Sequence, residues 1–376
     1  MTINNSVLRS DEEVIFALRS LYQKYGYFQY KMNKFEEYDF YVQNKDFLVS
    51  DNVITFTDTN AKLMALKPDV TLSIVKNISD TPNYAQKLFY NENVYRTTKG
   101  TNSFKEIMQT GLEYIGAIDD YAICETVMLA AKSLKTISDD YVMDLSHMGI
   151  VFSLADDLNL SSAAKSELLL CISQKNLSSA MQICKNENVP EKKAEVLKQL
   201  ITLSENTSEA LLELENIAKS NESIKDGVAL LSTIVNFLSK NGCKENIRID
   251  FSVIQDRNYY NAVVFKGFIN GIASAVLVGG QYDMLMKKMG KKSGAVGFAV
   301  YLDMLEFLYE NNQKYDVDAV LLYDENVSAE KIGDAVRLLS DNKKSVTAQR
   351  QIPRKLRFKQ LLRLNEKGIE IIENNA

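Results

Sequence analysis

With 376 residues, 46% of them apolar and 25% charged, the chain has room for two or three domains and a large core. A net charge of −5 speaks against broad nucleic-acid binding, and no apolar run reaches the length of a membrane span. The single histidine, His147, and four dispersed cysteines without a CxxC pair speak against histidine triads and zinc sites. Free, buried thiols in a reducing cytosol fit that cysteine pattern best, and Met1 to Val14 lacks the apolar core of a signal peptide.

Residues 11–25 carry Val14, Ile15, Leu18, Leu21 and Tyr22 on a helical stripe that Gly26 stops. Tyr27 to Phe40 reads as a strand ending in the acidic cluster Glu36, Glu37 and Asp39. Residues 52–58 and 62–67 pattern as a hairpin around Asn60. Pro68 ends it, and Asp69-Val70-Thr71 opens a helix to about Asn77. Thr71 is the expected N-cap, with Asp69 against the positive helix end. A plain cap explains both residues without a ligand.

Leu88 to Arg96 and Ile107 to Ile115 read as strands joined by a polar turn, Thr97 to Ser103. Side chains two apart share a face. Gln109, Gly111 and Glu113 therefore point one way, and Met108, Thr110, Leu112 and Tyr114 the other. At roughly 3.4 Å per residue, the amide and the carboxylate stand about 13 Å apart across a position with no side chain. That face is either a solvated sheet surface or a floor for a small polar ligand.

Asp120 to Leu134 is apolar over most of its surface and reads as a buried helix. Tyr141 to Phe152 contains a short strand in which His147 is expected to be a buried, satisfied histidine. Helical periods then occupy 162–173, 177–186, 190–203, 207–219 and 222–240. Pro190 suits a first turn, and Asn206 with Glu209 has capping-box spacing. Strands return in IRIDFSV, AVVFKGFI and ASAVLVGG, with a hairpin signal at Asn270-Gly271. Tyr282 to Met289 is helical, and Gly294 to Phe298 leads into a helix VYLDMLEFLYENN. The tail reads as a strand (VDAVLLY), a helix over 328–341, a strand (KSVTAQR), a helix over 357–367 and a strand (IEIIE).

The ordered segments LKPDVT, VYR, FKEIMQTGLEYIG, DRNYYNAVVFKGF, GGQYDMLMKKMG and AVGFAVYLDML resemble the catalytic core of histidyl-tRNA synthetases, across residues 10–310. The resemblance implies an α+β fold: a class II aminoacyl-tRNA synthetase-like antiparallel sheet flanked by helices, with a helical insertion and a short C-terminal α/β domain. The implied boundaries are 1–150 and 243–312 for the core, 151–242 for the insertion and 313–376 for the tail. Two kinds of relative fit: the synthetase itself, and the non-catalytic regulatory subunit of short-form ATP phosphoribosyltransferase.

Adenylation needs fixed cations against ATP, because such catalysis is mostly positioning and electrostatics. Arg96 is present, but Thr98 stands where the family has a nucleotide-holding glutamate, and Met304 where it has an arginine. Gln255 takes the place of the catalytic arginine, with Arg257 two residues on, and Met32-Asn33 stands near the missing motif 1 proline. The histidine pocket, by contrast, is complete by resemblance. Asp69, Thr71, Gln109 and Glu113 fall at the amino end, Tyr259, Tyr260 and Tyr282 at the ring, and Arg96 near the carboxylate.

The resemblance therefore implies a regulatory subunit with no catalytic residues, no metal and no cofactor. Its implied partners are a short-form ATP phosphoribosyltransferase catalytic subunit and free histidine as effector, in the first step of histidine biosynthesis. A homodimeric core within a cytoplasmic hetero-oligomer is expected, with no membrane or nucleic-acid partner. A divergent histidyl-tRNA synthetase and a stand-alone histidine-binding paralogue are the competing readings.

Overall fold

The computed structural model describes residues 8–48, 53–97, 103–254, 259–305, 314–342 and 344–375. They divide into two units, one within residues 1–308 and the other within 309–376. The first begins with α1 (Ser10–Lys24), β1 (Phe28–Gln29), β2 (Phe35–Glu37), α2 (Tyr38–Gln43), β3 (Thr55–Thr57), β4 (Leu63–Leu66) and α3 (Val70–Asn77). The long hairpin β5 (Gln86–Thr97) and β6 (Phe104–Gly116) follows, then α4 (Asp120–Ile137), β7 (Tyr141–His147) and α5 (Met148–Asp157). Five helices come next: α6 (Ser162–Ser173), α7 (Leu177–Asn186), α8 (Glu191–Ile201), α9 (Thr207–Ser220) and α10 (Lys225–Lys240). The unit closes with β8 (Ile247–Ile249), β9 (Val263–Ile269), β10 (Leu277–Gln281), α11 (Asp283–Lys288) and β11 (Gly294–Tyr301).

An eight-stranded sheet in the order β1-β5-β6-β11-β10-β9-β7-β8 organises this unit. Its six inner strands pair antiparallel, and only the short edges β1 and β8 pair parallel to their neighbours. One face is covered by α1 and α4. There Phe89, Leu112, Phe265 and Phe298 are buried, and Tyr22 of α1 meets the rings of Phe89 and Phe298 at 6.0 and 6.1 Å. The Tyr22 hydroxyl joins Ser133 of α4 at 3.0 Å, which ties the two helices together. This apolar burial leaves the opposite face free for polar side chains.

The helical periods of the insertion match its helices closely, and three of the five begin with a local cap. Asn206 accepts from the amides of Ser208 and Glu209, and Ser161 and Asn176 cap α6 and α7 in the same way. Pro190 stands one place earlier than expected, at the N-cap of α8.

Elsewhere local pattern and tertiary pairing diverge. The segment 27–40 is not one strand. It gives the short β1 and β2 and then α2, where Tyr41 turns inward to reach Ser73 at 3.5 Å. The strand holding His147 stops at that residue, and Met148 starts a buried helix. A short apolar run does not distinguish a strand from a buried helix turn. His147 is not satisfied either, since its Nδ1 is buried with no hydrogen-bond partner among the described residues. Burial pulls its pKa down to about 4, so the ring is neutral near neutral pH.

The helix expected from Val300 does not begin there. Val300 and Tyr301 continue β11, paired with Thr110 and Gln109, and a single 3₁₀ turn follows at Leu302–Leu305. Residues 306–312 of that expected helix lie outside the described residues.

In the second unit, β12 (Val317–Tyr323) lies parallel to both β13 (Val346–Gln349) and β14 (Phe358–Asn365). β15 (Gly368–Asn374) pairs antiparallel with β14, and one helix, Ala329–Asp341, joins β12 to β13. Residues 357–367 were expected to form a helix from their Leu, Lys, Gln and Arg content, all good helix formers. They form a strand instead, because Leu361, Leu362 and Leu364 gain burial only through pairing with β12.

Candidate functional site

A cavity of about 500 Å³ opens on the sheet face turned away from α1 and α4. Asp69, Thr71, Arg96, Gln109, Glu113, Tyr259, Tyr260 and Tyr282, the eight residues singled out in the sequence, all line it. Two come from the start of α3, three from the β5–β6 hairpin, two from the segment before β9 and one from the entry to α11.

Asp69, and not Thr71, caps α3. Its Oδ1 accepts from the Leu72 amide at 2.8 Å. That frees the Thr71 hydroxyl, which donates across to Glu113 Oε1 at 2.9 Å. The other carboxylate oxygen of Glu113 accepts from the Tyr282 hydroxyl at 2.5 Å. The cap thus falls to Asp69, while the Thr71 hydroxyl is turned to Glu113 in the cavity wall.

The electrostatics are those of a buried acid pair. Glu113 is 1% exposed, and burial pushes its pKa up to about 8, with nearby Asp69 adding to the shift. The hydroxyls of Tyr282 and Thr71 pull it part of the way back. Asp69 is also pushed above the usual carboxylate range by burial, against the Leu72 amide and Arg96. Arg96 donates from Nε to the Pro68 carbonyl at 3.0 Å, and its charge partly offsets the upward shift that burial gives Tyr301. Gln109 is 3% exposed and faces the cavity.

An aromatic wall closes one side. Tyr259 lies 4.6 Å from Tyr260 and 6.0 Å from Tyr282, ring centre to ring centre. The middle of the hollow stays open because β11 presents almost no side chain opposite Gly111 and Glu113. Gly297 pairs with Glu113, and Ala299 with Gly111. A Cβ on Gly297 would come within 1.7 Å of Glu113 Oε2, and one on Gly111 within 2.6 Å of the Tyr90 hydroxyl.

Sequence reasoning missed Tyr90, Lys266 and Tyr301, which also line the cavity. Lys266 left a trace: it is the one charged residue in the apolar run Val263 to Ile269. Tyr301 left none, because its place depends on β11 continuing past Phe298. Of the positions read against ATP chemistry, Met304 is half-buried in the 3₁₀ turn and is absent from the cavity wall. Thr98, Gln255 and Arg257 lie outside the described residues. Met32 and Asn33 fall between β1 and β2, where the Met32 amide donates to Glu92 at 3.4 Å.

An antiparallel sheet with helices on one face and an acid-floored hollow on the other defines a class II synthetase-like core. The family model described as histidyl-tRNA synthetase matches residues 4–305. The ATP phosphoribosyltransferase regulatory subunit of Caldanaerobacter subterraneus subsp. tengcongensis is 30% identical over 302 residues, covering 79% of this chain and 78% of that one. The solved ATP phosphoribosyltransferase regulatory subunit/histidyl-tRNA synthetase from Bacillus halodurans superposes with a TM-score of 0.73 at 23% identity, over 90% of this chain and 88% of that one. A chain of the ATP phosphoribosyl transferase (HisG:HisZ) complex from Thermotoga maritima gives a TM-score of 0.61 at 17% identity, over 78% of this chain and 97% of that one. The chain belongs to the histidyl-tRNA synthetase family, in its branch of ATP phosphoribosyltransferase regulatory subunits.

Proposed function

We propose that this chain is the regulatory subunit of a short-form ATP phosphoribosyltransferase and that its cavity binds free histidine as the feedback signal. It performs no chemical step. It completes the assembly in which a separate catalytic subunit joins ATP to phosphoribosyl pyrophosphate. The observation that carries this reading is a contrast between an amino-acid-sized pocket that is present and adenylation residues that are replaced. Glu113, Asp69, Thr71 and Gln109, with three tyrosines, form an acid and aromatic wall suited to an ammonium and an imidazole. The cations that adenylation would need are replaced in the sequence by Gln255 and Met304.

Histidine regulates only by the difference in its affinity for two states of the complex, and a coupling of about 1–3 kcal/mol suffices for a useful response. A homodimeric core inside a cytoplasmic hetero-oligomer completes the proposal. The hetero-oligomer is supported by the HisG:HisZ complex of the Thermotoga maritima relative, and the reducing compartment by four cysteines that are all free and buried. No helix among the described residues is long and apolar enough to cross a membrane.

Reconstitution tests the proposal. The purified chain, added to an inactive short catalytic subunit, is expected to co-elute with it and switch on product formation, and histidine is expected to switch it off again. Failure to associate and activate would favour a stand-alone histidine-binding paralogue. Association without inhibition by histidine would remove the effector role alone.

A further inference from the structure

Lys266 has no place in the reading above, yet it stands in the wall of the same cavity. It lies on β9, and the register carries its position across the sheet: Lys266 opposite Val278, Val278 opposite Ala299, Ala299 opposite Gly111. All four therefore share the face that carries Gln109 and Glu113. Three strand spacings of about 4.8 Å separate the backbone of Lys266 from that of the acid-bearing strand, roughly 14 Å in all. The acids stand at one end of the hollow and the lysine at the other.

The charge on Lys266 is also incompletely met within the protein. Its cross-strand neighbour, on the far side from Val278, is Asp144. Asp144 is already engaged by Arg248, whose Nε donates to Oδ1 at 2.9 Å. One carboxylate thus stands beside two cations. Burial costs Lys266 part of its proton affinity, and Asp144 only partly restores it. A half-buried ammonium beside a shared carboxylate, facing a cavity with acids at its other end, is a site that an anionic group on the ligand would complete.

We infer that Lys266 is the specificity-determining cation of the effector pocket, taking the carboxylate of a bound zwitterionic amino acid whose ammonium lies toward Glu113 and Asp69. This rests on the proposal that the pocket binds free histidine. Arg96, on β5 and held by the Pro68 carbonyl, stands at the acid end beside Asp69, so Lys266 is left to make the direct contact. The pocket then distinguishes an amino acid from its decarboxylated or reduced analogues by charge, which shape alone would not do.

The test compares L-histidine with L-histidinol, which keeps the imidazole and the ammonium but carries a neutral hydroxymethyl group in place of the carboxylate. Calorimetric titration of the full chain is expected to show histidine binding tighter by roughly ten- to hundredfold, the worth of one charge-assisted hydrogen bond. In Lys266→Met, histidine affinity should fall to the histidinol level while histidinol affinity stays put. Lys266→Arg should restore much of the gap. A merely structural lysine would weaken both ligands together, so an unchanged ratio in Lys266→Met overturns the assignment. If Lys266→Met does not fold, the ratio measured in Lys266→Gln decides in the same way. Wild-type protein that binds neither ligand would overturn the effector reading itself, a result distinct from loss of discrimination.

Discussion

Glu113 is an acid held where its charge is costly, and the consequences are specific to pH. Its folded pKa of about 8 lies above the ordinary carboxylate value, so between roughly pH 4.5 and 8 the folded chain binds a proton that the unfolded chain does not. This contribution to stability is fully present below the unfolded pKa and is lost as pH rises through about 8. An ammonium ligand reverses the preference, since it favours the charged carboxylate. Histidine binding is therefore expected to release a proton and to strengthen as pH rises from about 6.5 to 8, measured as a buffer-dependent heat in calorimetry. Glu113→Gln keeps the shape and leaves the Thr71 and Tyr282 hydroxyls a partner. It should remove the proton release and weaken histidine binding by about 1–3 kcal/mol, while activation of the catalytic subunit survives. Binding unchanged by that substitution would place the effector elsewhere. At this scale the sequence was informative: period-two geometry placed Gln109 and Glu113 on one face, and the helix-start pattern placed Asp69 and Thr71 together. It misassigned the cap because Thr71 and Asp69 are both good cap residues, and only the carboxylate of Glu113 across the cleft draws the Thr71 hydroxyl away.

Strand β11 shows how an element can serve a pocket by what it omits. Gly297 faces Glu113 in register, and a methyl there would strike both the Glu113 carboxylate and the Leu112 carbonyl, the latter at 2.5 Å. A backbone oxygen cannot swing aside as a side chain can, so Gly297→Ala is an overpacking substitution with a cost of about 1–3 kcal/mol. A lower melting temperature and lost histidine binding are expected together. Gly333→Ala makes a fitting control: no atom lies within 4 Å of the added methyl on its helix, and alanine is there worth up to about 1 kcal/mol of added stability. A Gly297→Ala protein as stable as the wild type would mean that the strands can part at little cost. Two of the errors at this scale share one cause. Residues 357–367 and the start of VYLDMLEFLYENN have helical composition, yet β14 and the end of β11 gain more from a waiting strand partner than from their own turns. The helical periods between 162 and 240 matched the helices there, three of which carry their own start signals, at Ser161, Asn176 and Asn206, and do not depend on a distant chain segment.

At the scale of the whole molecule, the class II core is kept, its hollow is proposed to hold an amino acid, and the residues that would activate one are replaced. The order of the family's segments made the core legible, because each is a short motif tied to one strand or one helix entry of the sheet. The cavity's far wall stayed hidden, since Lys266 and Tyr301 reach it only through strand register. Adenylate formation would need cations fixed around the triphosphate before reaction, each worth about 10²–10³ in rate. Met304, in the turn after β11, is an apolar side chain outside the cavity wall where the family pattern has an arginine, and Gln255 carries no charge. Two such losses multiply to about 10⁴–10⁶, enough to reduce exchange to background. ATP–pyrophosphate exchange with histidine and the purified chain should therefore stay at the level of a protein-free blank, even at concentrations where calorimetry shows the pocket occupied by histidine. Exchange that rises with enzyme concentration would instead make this chain a divergent synthetase, with Arg257 as the first residue to replace in seeking the source of that activity.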